Sequence, residues 1–322
     1  MGAEDYNGLV SRAVRETRGS SFAGRFPTSG YLLPHQIPAP DPGPGPSPTP
    51  PVLRPNRPSP PVMPRICANL SLLFNEIPFL DRFGAAADAG FRGVEYLFPY
   101  EYPTAQLADL LRRHGLVQVL HNMPPGDWNA GERGIACHPD RIGEFQDGVG
   151  RTIEYATALG CRQVNCLAGL MPAGVPRARL HDTLVSNLRF AAPRLAGAGI
   201  RLLIEPINSR RDMPGFFVDH SAQAIDVIRD TGSDNVFLQY DIYHMQIMEG
   251  DLAATIERHR DRIAHMQFAD NPGRHEPGTG EIRFDWLFGF IDRIGYDGWL
   301  GAEYRPAGAT TAGLGWFAPY RT

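Results

Sequence analysis

The sequence predicts a single (β/α)8 TIM barrel extending from about residue 63 through residue 322. Three observations predict it. Eight short apolar runs recur after Met63, longer amphipathic segments separate them, and the later runs end in acidic or amide side chains. Strands separated by helices pair in parallel through crossover connections. Eight such units are what closure into a barrel requires.

The runs lie near 66–70 (ICANL), 93–98 (GVEYLF), 117–121 (VQVLH), 163–167 (QVNCL), 201–205 (RLLIE), 236–241 (VFLQYD), 263–268 (IAHMQF) and 298–303 (GWLGAE). Helical segments are predicted over 78–89, 104–114, 140–160, 178–198, 221–231, 251–261 and 284–294. Within 140–160, for example, Ile142, Phe145, Val149, Ile153 and Ala156 fall at helical spacing. An open doubly wound sheet is the competing architecture. It would carry a glycine fingerprint after its first strand, where this chain has Asn69-Leu70-Ser71-Leu72. The expectation is therefore a barrel with no nucleotide cofactor. The glycine pairs Gly278/Gly280 and Gly313/Gly315 are read as turn chemistry rather than phosphate loops.

Residues 1–62 have a different character. From Pro34 to Pro64 the chain reads PHQIPAPDPGPGPSPTPPVLRPNRPSPPVMP. Proline at this density removes backbone donors and fixes φ, so neither helix nor sheet propagates. The segment is predicted to be a disordered extension. The preceding stretch could form one weak helix, and Glu4, Asp5 and Glu16 argue against a transit peptide. Translation starting at Met63 would give a barrel of about 260 residues, close to the roughly 250 typical of the fold. A mis-assigned start is favoured over a functional proline-rich arm.

Composition narrows the chemistry. The 322 residues carry 31 basic and 35 acidic side chains, a formal charge of -4, and every basic residue is arginine. That balance gives no basic footprint for nucleic acid and no polybasic membrane anchor. Without lysine, Schiff-base catalysis, pyridoxal phosphate anchoring and the P-loop are excluded. Cys67, Cys137, Cys161 and Cys166 are scattered, with no C-x-x-C pair. A reduced, cytoplasmic protein is expected. No apolar run approaches the roughly 18 residues of a membrane span.

The candidate site comes from where polar residues fall. Run five ends in Glu205, run six in Asp241, run seven at Gln267 and run eight in Glu303. The C-terminal tips of parallel barrel strands open into one shared mouth. Three carboxylates there repel one another unless a cation lies among them or one holds a proton. Oxygen ligands suit magnesium or manganese better than zinc. The bland alternative, that each acid merely caps the next helix, explains one such residue more readily than four in register. His244 follows Asp241 by three residues. Arg274, in the loop after run seven, has the guanidinium fork that binds carboxylates. His121 ends run three, and Glu95, buried in run two, needs a partner such as His121 or a ligand.

The stretches ANLSLLFNEIPFLDRF (68–83), GFRGVEYLFPYEY (90–102), LHNMPPGDWNAGERGIAC (120–137), IEPIN (204–208), QYDIYHMQIMEG (239–250), ADNPGRHEPGTGEI (269–282) and AEYRP (302–306) resemble hydroxypyruvate isomerases. These belong to the xylose-isomerase-like barrel superfamily, which also holds ketose 3-epimerases. The resemblance covers residues 64–322 and nothing earlier. It implies that Glu205 and Glu303 are the catalytic pair, and that a divalent metal, where required, is held by Glu205, Asp241, Gln267 and Glu303. Gln267 stands where the epimerases have histidine, which weakens that ligand set. It further implies that His244 and Arg274 touch substrate oxygens and that the activity serves glyoxylate metabolism.

The alternatives are a 2-oxo-tetronate isomerase or ketose 3-epimerase on the same barrel, and a non-catalytic binding protein recruiting partners through the proline-rich arm. An abasic-site endonuclease would need several histidine ligands and a basic surface, which this sequence lacks. The expected partner is a small hydroxy-carbonyl acid. A homo-oligomer is compatible with the sequence but not dictated by it.

Overall fold

A computed structural model describes residues 64–321. The expectations for residues 1–62 lie outside the described residues. Eight parallel strands close on themselves in sequence order. They are β1 (Arg65–Asn69), β2 (Gly93–Tyr96), β3 (Val117–Asn122), β4 (Gln163–Cys166), β5 (Arg201–Ile204), β6 (Val236–Asp241), β7 (Ile263–Phe268) and β8 (Trp299–Ala302). All eight predicted runs are strands, shifted by a residue or two at their ends.

The helices are α1 (Arg82–Asp88), α2 (Thr104–His114), α3 (Ile142–Ala158), α4 (Arg177–Gly197), α5 (Ser221–Thr231), α6 (Ile242–Met248), α7 (Leu252–His259) and α8 (Phe284–Arg293). Each amphipathic helix turns its apolar stripe toward the barrel. In α3 the buried positions are Phe145, Val149, Thr152, Tyr155 and Ala156. Two elements were not legible in the sequence. One is α6, a short helix directly after β6. The other is a 3-10 segment over Thr310–Tyr320. Its Phe317 stacks on Phe91 at 4.1 Å, and its Thr310 hydroxyl accepts from the Phe74 backbone N–H at 2.8 Å.

Two apolar layers fix where the site can lie. The larger fills the space between strands and helices. The smaller, built from Cys67, Val119, Leu120, Leu203 and Ala264, plugs the barrel interior. Beyond that plug lie the buried, hydrogen-bonded side chains of Asn69, Glu95, His265 and Gln267, so the interior turns from apolar to polar toward the mouth. Registers such as Asn69↔Glu95 and Asp241↔Gln267 bring the strand ends level. Among the described residues, no helix is long and apolar enough to cross a membrane.

Candidate active site

The mouth of the barrel holds a cavity of about 320 Å³. Glu205, Asp212, His244, Arg274 and Glu303 line it, with Asn122 from the end of β3 and Trp128, Arg133 and Arg305 from surrounding loops. Glu205 follows β5 and Glu303 follows β8, and both are buried. One ligand atom each from Glu205, Asp241, His244 and Glu303 lies within 4.8 Å of the others. The structure therefore brings together residues separated by up to 98 positions in the chain (303 − 205).

The two glutamates differ in support. Glu303 accepts at Oε1 from Asn69 Nδ2 at 3.0 Å and Gln267 Nε2 at 3.3 Å, and at Oε2 from Arg274 Nη2 at 2.7 Å. Glu205 accepts from Asn165 Nδ2 at 2.7 Å. Burial raises both carboxyls. It pushes Glu303 up to about 8 against the pull of Arg274, with Asp241 and Glu95 pushing further up. Glu205 rises well above the usual carboxylate range, through burial first and then Glu303 and Asp241. Three donors thus make Glu303 the more readily ionised of the pair, and Glu205, with one donor, the one that holds its proton more strongly.

Asp241 plays both roles that its position suggests. Its Oδ1 caps α6, accepting from the Tyr243 N–H at 2.7 Å and the His244 N–H at 3.3 Å. Its Oδ2 is buried with no hydrogen-bond partner among the described residues. Burial raises this carboxyl to about 6, with Arg274 and the two cap N–H groups pulling the other way. An orphaned acidic oxygen beside two glutamates is the feature expected of a cation site. The residues fit a hard divalent ion held by carboxylate oxygens.

His244 is oriented from behind. Asn208 Oδ1 accepts the backbone N–H groups of Arg211 and Asp212, each at 3.0 Å, which fixes its amide. Asn208 Nδ2 therefore donates to His244 Nδ1 at 2.7 Å. The imidazole then carries its proton on Nε2, which lies 3.6 Å from Asp241 Oδ2. Burial, then Arg274, lowers the His244 pKa, so the ring is neutral. His244 is thus a donor facing the cavity.

Arg274 reaches the same cluster from a loop tied down by Asp270. The carboxylate of Asp270 accepts from the N–H groups of Asn271, Gly278, Gly280 and Ile282 at 2.9–3.0 Å. A Cβ on Gly280 would lie 2.1 Å from the Asn271 carbonyl, so this turn admits only glycine there. Arg274 stacks over Tyr243 at 5.0 Å, and its Nη1 is 3.8 Å from Asp212.

Below the mouth lies a second buried cluster, which sequence reasoning only glimpsed. Glu95 accepts from His265 Nε2 at 2.7 Å, Gln267 Nε2 at 2.7 Å and Asn69 Nδ2 at 3.0 Å. Cys67 Sγ is 3.4 Å away. Burial raises the Glu95 carboxyl, but His265, Gln267 and Asn69 outweigh it and the net direction is down. Ligand atoms of Cys67, Glu95 and His265 also lie within 4.8 Å of one another, so this group too can coordinate a divalent metal. Gly301 on β8 makes room for it, because a Cβ there would sit 2.3 Å from Glu95 Oε1.

Three residues sit differently from the simplest expectation. His121 does not reach the mouth. Leu120 and Asn122 take the inner face of β3, and alternation turns His121 outward, where its ring meets Tyr100 edge-on at 5.9 Å. Burial lowers its pKa to about 4. Glu95 pairs with His265, not His121. Gln267 presents nitrogen rather than oxygen to Glu303, because its Oε1 accepts from Gln239 Nε2 at 2.5 Å. In this arrangement it supports Glu303 as a donor instead of acting as an oxygen ligand. Asn69, Asn165 and Asn208 were missed, although the first two stand on strands at the level of the singled-out acids.

A closed parallel barrel that gathers acids and a histidine at its C-terminal mouth defines an enzyme of the isomerase and epimerase class. Residues 83–320 match the xylose isomerase-like TIM barrel family. The chain is 54% identical over 259 residues to the hydroxypyruvate isomerase of Escherichia coli (strain K12), a match covering 80% of this chain and 100% of that one. It is 49% identical over 258 residues to a 2-oxo-tetronate isomerase of Cupriavidus necator, covering 80% and 99%. The crystal structure of an AP endonuclease, family 2, from Brucella melitensis shares 48% identity and a TM-score of 0.79, covering 81% of this chain and 100% of that one. The chain belongs to the xylose isomerase-like TIM-barrel family.

Proposed function

We propose that the protein interconverts hydroxypyruvate and 2-hydroxy-3-oxopropanoate (tartronate semialdehyde) through an enediolate. The observation that carries this reading is the unequal pair Glu205 and Glu303, one short of donors and one rich in them, lining one small cavity with ligand atoms within 4.8 Å of each other. Isomerisation needs one carboxylate that takes a proton and one carboxylic acid that gives one. Glu303, in its ionised form, takes the C3 proton; the C3–H electrons become the C2–C3 π bond and the C2–O2 π electrons move onto O2, giving the enediolate. Glu205 then delivers its proton to C2, and the hydroxyl proton on O3 passes to O2. As O3 loses its proton the C3–O3 double bond forms; the step leaves Glu303 protonated and Glu205 ionised, and a proton passes back from Glu303 to Glu205 through solvent before the next forward turnover.

The developing charge on oxygen would be met by a donor already in place, the His244 Nε2–H. A divalent cation bound by Glu205, Asp241 and Glu303 would supply further stabilisation of charge on oxygen.

The 49% identical 2-oxo-tetronate isomerase supports a second reading, the same chemistry on a four-carbon acid. Purified protein assayed on both acids decides between them, and the preferred substrate is the one with the higher kcat/KM. Solvent deuterium incorporation reports the proton transfer directly. Glu205→Gln and Glu303→Gln should each reduce kcat by about a thousandfold or more, with circular dichroism unchanged. Near-normal turnover in either variant rejects the pair.

A further inference from the structure

Arg274 is surrounded by acids: Glu303 at 2.7 Å, Asp212 at 3.8 Å, and Asp241 close enough to raise its pKa with them against the effect of burial. Its charge is already balanced before any substrate arrives. An acid substrate in the same cavity needs another cation. Two more arginines line the cavity, Arg133 and Arg305. Arg305 is exposed, whereas Arg133 is half-buried and held.

The Arg133 guanidinium lies 4.1 Å over the Trp128 ring. Its Nη1 donates to the carbonyls of Trp128 at 3.0 Å and Glu132 at 2.7 Å. Among the described residues its Nε and Nη2 have no hydrogen-bond partner, and no carboxylate lies within ion-pair distance of it. The loop that carries it is tied down by side-chain contacts. Trp128 packs on Phe98 at 5.0 Å, and Glu132 accepts from the Asp127 N–H at 2.5 Å and from Arg141 at 2.5 and 3.2 Å. An arginine with one nitrogen anchored, its plane fixed by an aromatic face and its other edge free is pre-organised for a bidentate carboxylate.

We propose that Arg133 grips the substrate carboxylate and makes the site selective for hydroxy-carbonyl acids over neutral sugars of the same length. The assignment rests on the acid-substrate reading above. Arg274 then serves Glu303 and the reacting oxygens, and the carboxylate lies at the Trp128 side of the cavity.

The test uses wild type, Arg133→Gln and Arg133→Lys with three probes: hydroxypyruvate for turnover, D-glycerate as an inert acid in calorimetry, and dihydroxyacetone as a neutral analogue in deuterium exchange. In Arg133→Gln, KM for hydroxypyruvate and Kd for glycerate should rise about 10- to 100-fold, with exchange into dihydroxyacetone unmoved. Arg133→Lys should recover part of the acid binding through its charge. An unchanged glycerate Kd in Arg133→Gln, no glycerate binding by the wild type, or an equal loss with dihydroxyacetone overturns the clamp. If the wild type does not turn over hydroxypyruvate, the functional reading fails, and the glycerate measurement still decides the role of Arg133.

Discussion

Asn69 and Glu303 meet across the seam between the first and last strands, with Asn69 Nδ2 3.0 Å from Glu303 Oε1. The same amide nitrogen lies 3.0 Å from Glu95 Oε1, and Asn69 Oδ1 is fixed by the Ser71 N–H at 3.0 Å. One neutral side chain therefore links the deep acid to the proposed catalytic one. Asn69→Ala should lower kcat about ten- to hundredfold, the worth of a hydrogen bond to a charged group, and leave KM nearly unchanged. A loss confined to KM would place Asn69 on the substrate instead.

The Glu95–His265 pair is fully buried at 2.7 Å. Removing one partner of such a pair strands the other. Glu95→Ala should cost about 3–5 kcal/mol in urea unfolding, far more than Asn69→Ala. A cost near zero would mean that water or relaxation compensates what looks sealed.

The orphaned oxygen of Asp241 predicts metal-linked stability. Manganese or magnesium at about 100 times its Kd should stabilise the protein by about 2.7 kcal/mol through mass action, seen as a rise in Tm without any assay of turnover. Asp241→Asn should abolish most of that rise. An equal rise in the variant would locate the ion elsewhere, and the Cys67, Glu95 and His265 group would be the next place to look.

The raised carboxyls set a pH trend for chelator-treated protein. Asp241 shifts from an ordinary 3.8 to about 6, Glu303 from 4.5 to about 8, and Glu205 moves the same way. Between those values the folded state holds more protons than the unfolded one, so stability falls as pH rises. Their contribution is fully present below about pH 4 and is lost as pH climbs through about 6 and then about 8. Glu95 acts oppositely, since its lowered pKa adds stability that disappears in acid. Urea midpoints should decline from about pH 6.5 to about pH 8.5, above the range in which the lowered His121 and His244 push the other way, and Glu303→Gln should flatten the slope. A rising limb over that window would contradict the shifts.

The barrel was legible because each strand is a short apolar run bounded by polar or turn-forming residues, and that signal is local. The acids at strand ends were legible for the same reason. The amides that orient them were not, because Asn69, Asn165 and Asn208 acquire meaning only from partners 36 to 234 residues away. The pairing of Glu95 with His265 spans 170 positions and leaves no local trace. His121 was misplaced by one residue. The run ends in His121-Asn122, and a single step along a strand exchanges inner and outer faces. The irregular register between Val94 and Glu95 beside it makes counting from the neighbouring strand unreliable as well.

The close approach of Gly301 to Glu95 joins two positions that no local pattern connects. Neither is free to change alone: a methyl group on strand eight would evict the acid, and without the acid the strand would face an unfilled gap. In a mutational scan this couple should behave as a single locus, intolerant of Gly301→Ala on its own and more forgiving when residue 95 is shortened in the same molecule.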